Sequence, residues 1–244
     1  MILLIDSGNS RLKWAIFQDG KLHKNYALNN QTLNANKLRE AWKELVLPKR
    51  LYIASVSPSA LLDIVKSVAA ELWPNVPTIQ VKSEPHGFGV HNSYLQPEKL
   101  GVDRWLALIA AHNLYQKPTC IIDCGTAITI DFMGADGNHQ GGMISPGLTL
   151  MKKSLATNTD LLEFNEANYV LGPANFTEAA IYNGTLSAAA GLIEYVLSKQ
   201  DPSLTILLTG GDAVVIAKHL SVSTIIDLNL VLNGLAVVAS NSEY

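Results

Sequence analysis

Residues 2–17, ILLIDSGNSRLKWAIF, decide the fold of this chain. An apolar run leads into an acidic glycine turn at residues 6–9, and a second largely apolar stretch follows it. Residues 120–132, CIIDCGTAITIDF, repeat the pattern with the turn at residues 123–126. Each copy then ends in a polar turn containing glycine. The sequence therefore predicts a strand, an acidic glycine turn, a second strand and a further turn, and predicts this unit twice.

The two acidic glycine turns suggest phosphate binding. A glycine lets main-chain N–H groups approach a phosphate closely, and the adjacent Asp6 or Asp123 can hold a metal ion or its water shell. Taken singly, each turn also fits an ordinary hairpin between strands. Because the arrangement occurs twice, we interpret the pair as hairpins that face each other and clamp the phosphates of a nucleotide.

The remaining sequence alternates helices and strands, which predicts an α/β protein with two similar lobes, residues 1–117 and 118–244. We expect Asn175 and Glu178 to begin one helix with a capping box. Residues 83–99, rich in glycine and proline, predict an irregular loop with a functional role. Helical spacing predicts helices over residues 33–45, 59–72, 101–115, 179–197 and 229–239. Strands are predicted over residues 51–56, 76–81 and 204–208.

Composition excludes several classes of protein. The 244 residues carry a net charge of −3 and are 48% hydrophobic and 16% charged, which is typical of a globular chain with a sizeable core. Basic residues form no patch, so we expect no nucleic-acid partner. Apolar runs fall short of the ~20 residues that a membrane span needs. Cys120 and Cys124 read as small buried side chains in a reducing compartment, so we expect a cytoplasmic protein.

Two further polar clusters allow chemical interpretations. Asp103 and Arg104 follow Gly101 and Val102 at a predicted helix start. Asp103 there can simply complement the helix dipole while Arg104 sits at the surface. Alternatively, Asp103 acts as a base toward an alcohol, and Arg104 pairs with a substrate carboxylate. Residues 209–211 (TGG) fit a strand-to-helix turn or the close approach of a ring or ribose. Trp105 is expected in the core.

Taken together, these motifs resemble the type III pantothenate kinase family. They occur in the family's order and extend over nearly the whole chain. The matching segments are residues 5–10 with Lys13 and Trp14, 101–104, 123–129, 141–147, 177–181 with Gly184, and 209–211. The resemblance implies an actin-like, sugar-kinase-like ATPase fold of two ribonuclease-H-like lobes. It also implies ATP-dependent phosphorylation of pantothenate to 4'-phosphopantothenate, the first step of coenzyme A biosynthesis.

The resemblance further assigns partners, cofactors and residue roles. It implies a homodimer that uses Mg²⁺ with ATP and a monovalent cation, K⁺ or NH₄⁺, held by Asp123. Asp103 is implied as the catalytic base. The ATP site would comprise Asp6, Ser7, Gly8, Asn9, Ser10, Arg11, Leu12 and Lys13, with Thr126 from the opposite hairpin. The pantothenate site would comprise Tyr94, Gly101, Val102, Asp103, Arg104 and Thr177.

Two alternatives remain open at this point. The chain could phosphorylate another small alcohol or a carboxylate on the same fold, because a fold does not fix a substrate. It could also be a nucleotide-sensing regulator, since some members of this family were first described as accessory factors for transcription. Retention of both acidic turns and of Asp103 favours catalysis.

Overall fold

The computed structural model describes residues 1–157 and 167–241. The chain forms two compact units. The first contains Met1–Gln116, Asp136–His139 and the C-terminal residues from Asn229, and the second contains Lys117–Ala135 and Gln140–Leu228. The division expected from sequence, at residue 117, assigned everything after it to one lobe. The contacts instead place residues 136–139 and the C-terminal helix with the first unit.

The first unit is built on a mixed five-stranded sheet in the order β3-β2-β1-β4-β5. Strand β1 pairs antiparallel with β2 and parallel with β4, so the predicted hairpin forms one half of the sheet. The strands are β1 (Ile2–Ser7), β2 (Arg11–Gln18), β3 (Lys21–Asn29), β4 (Leu51–Ser55), β5 (Thr78–Gln80), and a small separate hairpin of β6 (His86–Gly87) and β7 (Val90–His91). The helices are α1 (Ala35–Trp42), α2 (Ser59–Leu72) and α3 (Val102–Tyr115).

Indole side chains fill much of the core beside this sheet. The Trp42 ring stacks on Trp73 with centroids 5.6 Å apart and meets Trp14 edge-on at 6.1 Å. All three are buried. The apolar face predicted for the helix near Trp42 is therefore confirmed, and it anchors α1 against the first hairpin. Trp105 is also buried, as expected of a core residue.

The second unit repeats the topology of the first. Its sheet has the order β10-β9-β8-β11-β12, with β8 antiparallel to β9 and parallel to β11. Two sheets with the same order and the same change of strand direction confirm the duplicated lobe predicted from the two acidic turns. The strands are β8 (Thr119–Cys124), β9 (Ala127–Met133), β10 (His139–Pro146), β11 (Thr205–Thr209) and β12 (Ile225–Ile226). The helices are α4 (Leu148–Thr157), α5 (Thr177–Leu197) and α6 (Ala213–Ala217).

A final helix, α7 (Leu230–Asn241), returns to the first unit and packs against α3. A Cβ atom added to Gly234 would overlap the carbonyl oxygen of Leu106 in α3. Glycine therefore permits main-chain contact between the two helices, and both present largely buried faces.

Several local expectations are corrected. The helix α5 begins at Thr177 behind Phe176, and the capping position receives no side-chain hydrogen bond, so the predicted capping box at Asn175 is wrong. Strands β3 and β10 and helix α4 were not predicted. In β3 most residues are exposed because it is an edge strand, and the alternating apolar pattern is absent. Within the described ranges, the helices are too short or too polar to cross a membrane.

Candidate active site

The first acidic turn joins β1 to β2. The N–H of Gly8 donates to the carbonyl oxygen of Arg11 at 3.1 Å, which closes the hairpin. Asn9 and Ser10 at its tip are exposed. Behind the tip, Ser7 is fully buried, and its hydroxyl lies 2.8 Å from that of Ser57. Ser57 was not singled out by sequence reasoning, because a serine in a loop carries no distinctive signal.

The expected ATP residues fall into two groups. Gly8, Asn9, Ser10, Arg11 and Lys13 are at least partly accessible. Asp6, near the end of a buried strand, lies between the two groups with 8% exposure. The second group consists of Ser7 and Leu12, which pair across the hairpin. Both side chains are 0% exposed. Either could contact a nucleotide through its main chain only.

The predicted substrate motif lies at the start of α3. Gly101 occupies the capping position, and the Asp103 carboxylate accepts a 2.8 Å hydrogen bond from the N–H of Arg104. A Cβ atom on Gly101 would come within 2.5 Å of Asp103 Oδ1. Glycine is thus required for the carboxylate to take this orientation. Val102 is buried and can reach a ligand only through its main chain.

Arg104 is not a surface side chain. It is 6% exposed, and its Nη1 donates to the Tyr94 hydroxyl at 2.6 Å. Its guanidinium carbon also lies 5.4 Å from the centre of the Tyr94 ring. The structure therefore brings together Tyr94, Asp103 and Arg104, and it rejects the simple surface role for the arginine.

Further residues hold Tyr94, and sequence reasoning missed them. The Tyr94 ring stacks on His139 with centroids 6.0 Å apart, and His139 Nδ1 lies 3.2 Å from the Ser93 hydroxyl. Asn92 Oδ1 accepts from the Tyr94 N–H at 3.0 Å. His139 is 4% exposed and is the first residue of β10, a strand of the second sheet. No local pattern places it beside Tyr94, because the contact spans 45 positions of the chain.

The loop that carries Tyr94 is tightly fixed. Asn92 Nδ2 donates to the carbonyl oxygens of Glu84, at 3.2 Å, and Pro97, at 3.1 Å. Gly89 has φ +82°, and a Cβ atom there would lie 2.6 Å from His112 of α3. This loop presents the Tyr94 hydroxyl to Arg104 of the predicted substrate motif, and its role in a site stays a prediction.

The second acidic turn, in the second unit, is enclosed by glycines. The N–H of Gly125 donates to Ala127, and that of Gly147 donates to Thr126, both at 3.0 Å. A Cβ atom on Gly147 would overlap the Gly125 carbonyl oxygen. Gly210 has φ +91°, and its added Cβ would lie 2.5 Å from the carbonyl carbon of Cys124. The second hairpin thus has main chain from two other segments packed directly on it.

Asp123 stands at the end of β8, where it pairs with Thr209 of β11. It is partly exposed, and a Cβ atom on Gly125 would lie 3.2 Å from its Oδ1. Oxygen ligands of this kind, carboxylate and main-chain carbonyl, suit hard cations. Over residues 1–157 and 167–241, three or more His, Cys, Asp or Glu side chains nowhere group as a metal site. A cation at Asp123 would therefore rely on main-chain or substrate oxygens.

The two cysteines flank this carboxylate but are unsuited to chemistry. Burial, with a smaller effect of Asp131, raises the pKa of Cys120 to about 12. Burial also raises the pKa of Cys124, and the charges of Asp123 and Asp212 add to the shift. Both thiols stay protonated at neutral pH, which agrees with their prediction as small core residues.

Thr177 is the first residue of α5 and lines a groove of about 590 Å³ between α4 and α5. Its neighbours in the groove include Met151, Leu155 and Ile181. Thr177 belongs to the second unit, whereas Tyr94 and the motif at residues 101–104 belong to the first.

Known proteins resemble this chain in sequence over almost its whole length. The profile of the type III pantothenate kinase family matches residues 2–199. A type III pantothenate kinase from Nitrosococcus oceani is 38% identical over 254 residues, covering 100% of this chain and 95% of that relative. One from Dechloromonas aromatica is also 38% identical, over 245 residues, with 99% and 100% covered.

Solved structures support the fold. A Campylobacter jejuni protein described as a Baf family transcriptional activator aligns with TM-score 0.65 and 23% identity, over 99% of this chain and 100% of its own. A Sinorhizobium meliloti protein described as a 2-dehydro-3-deoxygalactonokinase aligns with TM-score 0.61 and 13% identity, over 100% and 97%. The expected actin-like, sugar-kinase-like ATPase fold is thereby confirmed. With its matching profile and full-length relatives, the chain belongs to the type III pantothenate kinase family.

Proposed function

We propose that the residues described above carry out the reaction for which this family is named. In that reaction the terminal phosphoryl group of ATP passes to the primary hydroxyl of pantothenate, which yields 4'-phosphopantothenate at the entry to coenzyme A biosynthesis. One observation carries the assignment of roles: a carboxylate and a buried guanidinium occupy consecutive positions at the start of α3, with Tyr94 beside them.

Asp103 is the base in this proposal. An alcohol is a weak nucleophile, and a carboxylate that accepts its proton contributes roughly 10²–10⁴-fold in rate. The hydrogen bond from the Arg104 N–H holds the Asp103 side chain in one orientation, and Gly101 leaves room for it. The carboxylate therefore needs little rearrangement when the substrate hydroxyl arrives.

Arg104 is the anchor for the carboxylate of pantothenate. A guanidinium presents a planar fork of donors that matches a carboxylate. Burial strengthens such a pairing, because water competes less. The Tyr94 hydroxyl and ring fix the guanidinium from one side, which holds the plane of its fork in a defined direction.

The acidic glycine turns serve ATP. Phosphoryl transfer requires positioning and neutralisation of charge more than covalent help, and kinases take ATP with Mg²⁺, which supplies part of that neutralisation. In our proposal, the loop from Asp6 to Lys13 holds the phosphates, and Thr126 contacts them from the second hairpin. Asp123 holds a monovalent cation, K⁺ or NH₄⁺, and the oxygen-rich turn around it supports this role.

Homodimer formation and a cytoplasmic location complete the proposal. Along one face of α5, Ala180, Gly184, Ala188 and Gly191 are exposed, and small residues allow close approach of a second helix. In a twofold-symmetric dimer formed there, Thr177 at the start of α5 would help to close the pantothenate site. The buried thiols agree with a reducing compartment.

A coupled assay of ADP release tests the function. We expect pantothenate to be the preferred acceptor in a panel of small alcohols. Arg104→Ala should chiefly raise the KM for pantothenate, and the loss should be smaller for an analogue without the carboxylate. Arg39→Ala, which removes a partly exposed guanidinium paired with Glu71, is the matched control. ADP release that is faster with another alcohol, or equal losses for both substrates, would contradict the assignment.

A further inference from the structure

Asn30, just beyond the end of β3, contacts the tip of the first acidic turn. Its side-chain amide donates to the carbonyl oxygens of Gly8, at 2.8 Å, and Asn9, at 3.0 Å. Its main-chain N–H donates to the carbonyl oxygen of Ser10 at 3.0 Å. A single residue thus holds three consecutive carbonyl groups of the loop.

Because the peptide bond is planar, these contacts to the carbonyl groups also fix the direction of the N–H groups on the opposite face of the loop. In a trans peptide, the carbonyl of one residue and the N–H of the next point in opposite directions. Since the carbonyls of Gly8 and Asn9 point at Asn30, the N–H groups of Asn9 and Ser10 point away from it. Successive N–H groups on one side of a loop form a concave site for an anion.

The orientation of the Asn30 amide follows from its contacts. Both short contacts are to carbonyl oxygens, which accept only, so the nitrogen must face them. Its Oδ1 is then buried and accepts no hydrogen bond from the described residues. A buried acceptor without a donor is unfavourable, so the favourable contribution of this side chain comes from its amide donors on the loop carbonyls.

We propose that Asn30 is a positioning residue for the phosphate loop: it directs the N–H groups of Asn9 and Ser10 toward the phosphates of ATP without touching the nucleotide. The inference rests on the proposed role of residues 6–13 in ATP binding. Asn9 and Ser10 are exposed, and the contacts of Asn30 restrict the orientation of the peptide groups that carry their N–H groups. Preorganised donors are worth more to charge stabilisation than donors that must reorganise.

The test replaces the amide by an isosteric carboxylate. Asn30→Asp exchanges the donors for oxygens that face carbonyl oxygens, whereas Asn25→Asp makes the same change at an exposed position of β3. Steady-state kinetics are measured for each substrate with the other saturating. For Asn30→Asp we expect a rise in the KM for ATP of about 10–30-fold, from the loss of two neutral hydrogen bonds. The KM for pantothenate should stay within twofold, and Asn25→Asp should behave as wild type.

Asp6→Asn separates failure of this inference from failure of the loop assignment. If Asp6→Asn weakens ATP use and Asn30→Asp does not, the loop assignment stands and the role of Asn30 is overturned. If neither changes the KM for ATP, both are overturned. Equal rises in both KM values would also refute positioning. Circular dichroism establishes that each variant is folded. Should Asn30→Asp fail to fold, Asn30→Ala removes the donors without the repulsion and must show the same selective loss for ATP.

Discussion

Replacing Asp103 by asparagine separates its chemical role from its structural one. The carboxylate oxygen that accepts the Arg104 N–H at 2.8 Å has a counterpart in the asparagine amide. The helix start therefore keeps its hydrogen bond, and the free energy of unfolding should change by less than about 1 kcal/mol. The base is lost. We expect turnover to fall roughly 10²–10⁴-fold, which corresponds to about 2.7–5.4 kcal/mol of transition-state stabilisation.

Asp103→Ala makes the comparison sharper. It loses both the base and the hydrogen bond, so turnover should fall as in Asp103→Asn. Unlike the asparagine variant, it should also lose about 0.5–1.5 kcal/mol of stability. For a chain of this size, that loss lowers Tm by roughly 1–6 °C. Asp63→Asn, an exposed position on α2, controls for the change in charge.

The assay is the coupled release of ADP at saturating ATP and pantothenate, with thermal unfolding followed in parallel. ATP binding should survive in the Asp103 variants, which a nucleotide titration checks. Turnover of Asp103→Asn within a few-fold of wild type would refute the assignment of Asp103 as the base. It would then favour the plain alternative, in which an acidic residue complements the dipole of α3 for about 0.3–1 kcal/mol.

Three further expectations test other parts of the structure. Asp123→Ala should abolish the dependence on K⁺ or NH₄⁺ together with most activity, and full wild-type activity in sodium-only buffer would contradict a cation role. Gly234→Ala forces a methyl group into the main chain of α3 and should cost about 1–3 kcal/mol in thermal unfolding, and an unchanged Tm would contradict this close contact. Cys120 and Cys124 should resist a thiol reagent at pH 8 until denaturant is added, because both are buried and protonated. Rapid labelling of the native protein would contradict this burial.

The duplicated hairpin could be predicted from sequence because its signal is local and strong. An apolar strand, an acidic residue and a glycine stand within ten positions of one another at both places. The edge strands β3 and β10 escaped notice for the opposite reason. Most of their residues are exposed, so hydrophobic alternation, the main sequence sign of a strand, is weak there.

The residues of the candidate site also differ in whether the sequence alone could predict them. Asp103 and Arg104 could be identified from their position at a predicted helix start. Asn30 and His139 could not, since each acts on residues more than 20 positions away through contacts that only the folded sheet creates. Even the burial of Arg104 was invisible to pattern analysis, because arginine is usually exposed and its enclosure depends on the loop that carries Tyr94.

The return of α7 to the first unit has a consequence for biosynthesis. The residues before 117 leave the ribosome long before the helix that covers α3, about 6–25 s earlier at ordinary rates of elongation. During that interval α3 lacks its neighbour, whereas the whole second unit lies within residues 117–228, which are synthesised next, and all but four residues of that segment belong to it. The first unit can therefore be completed only after α7 has been synthesised. A chain truncated before Leu230 would leave the apolar face of α3 uncovered.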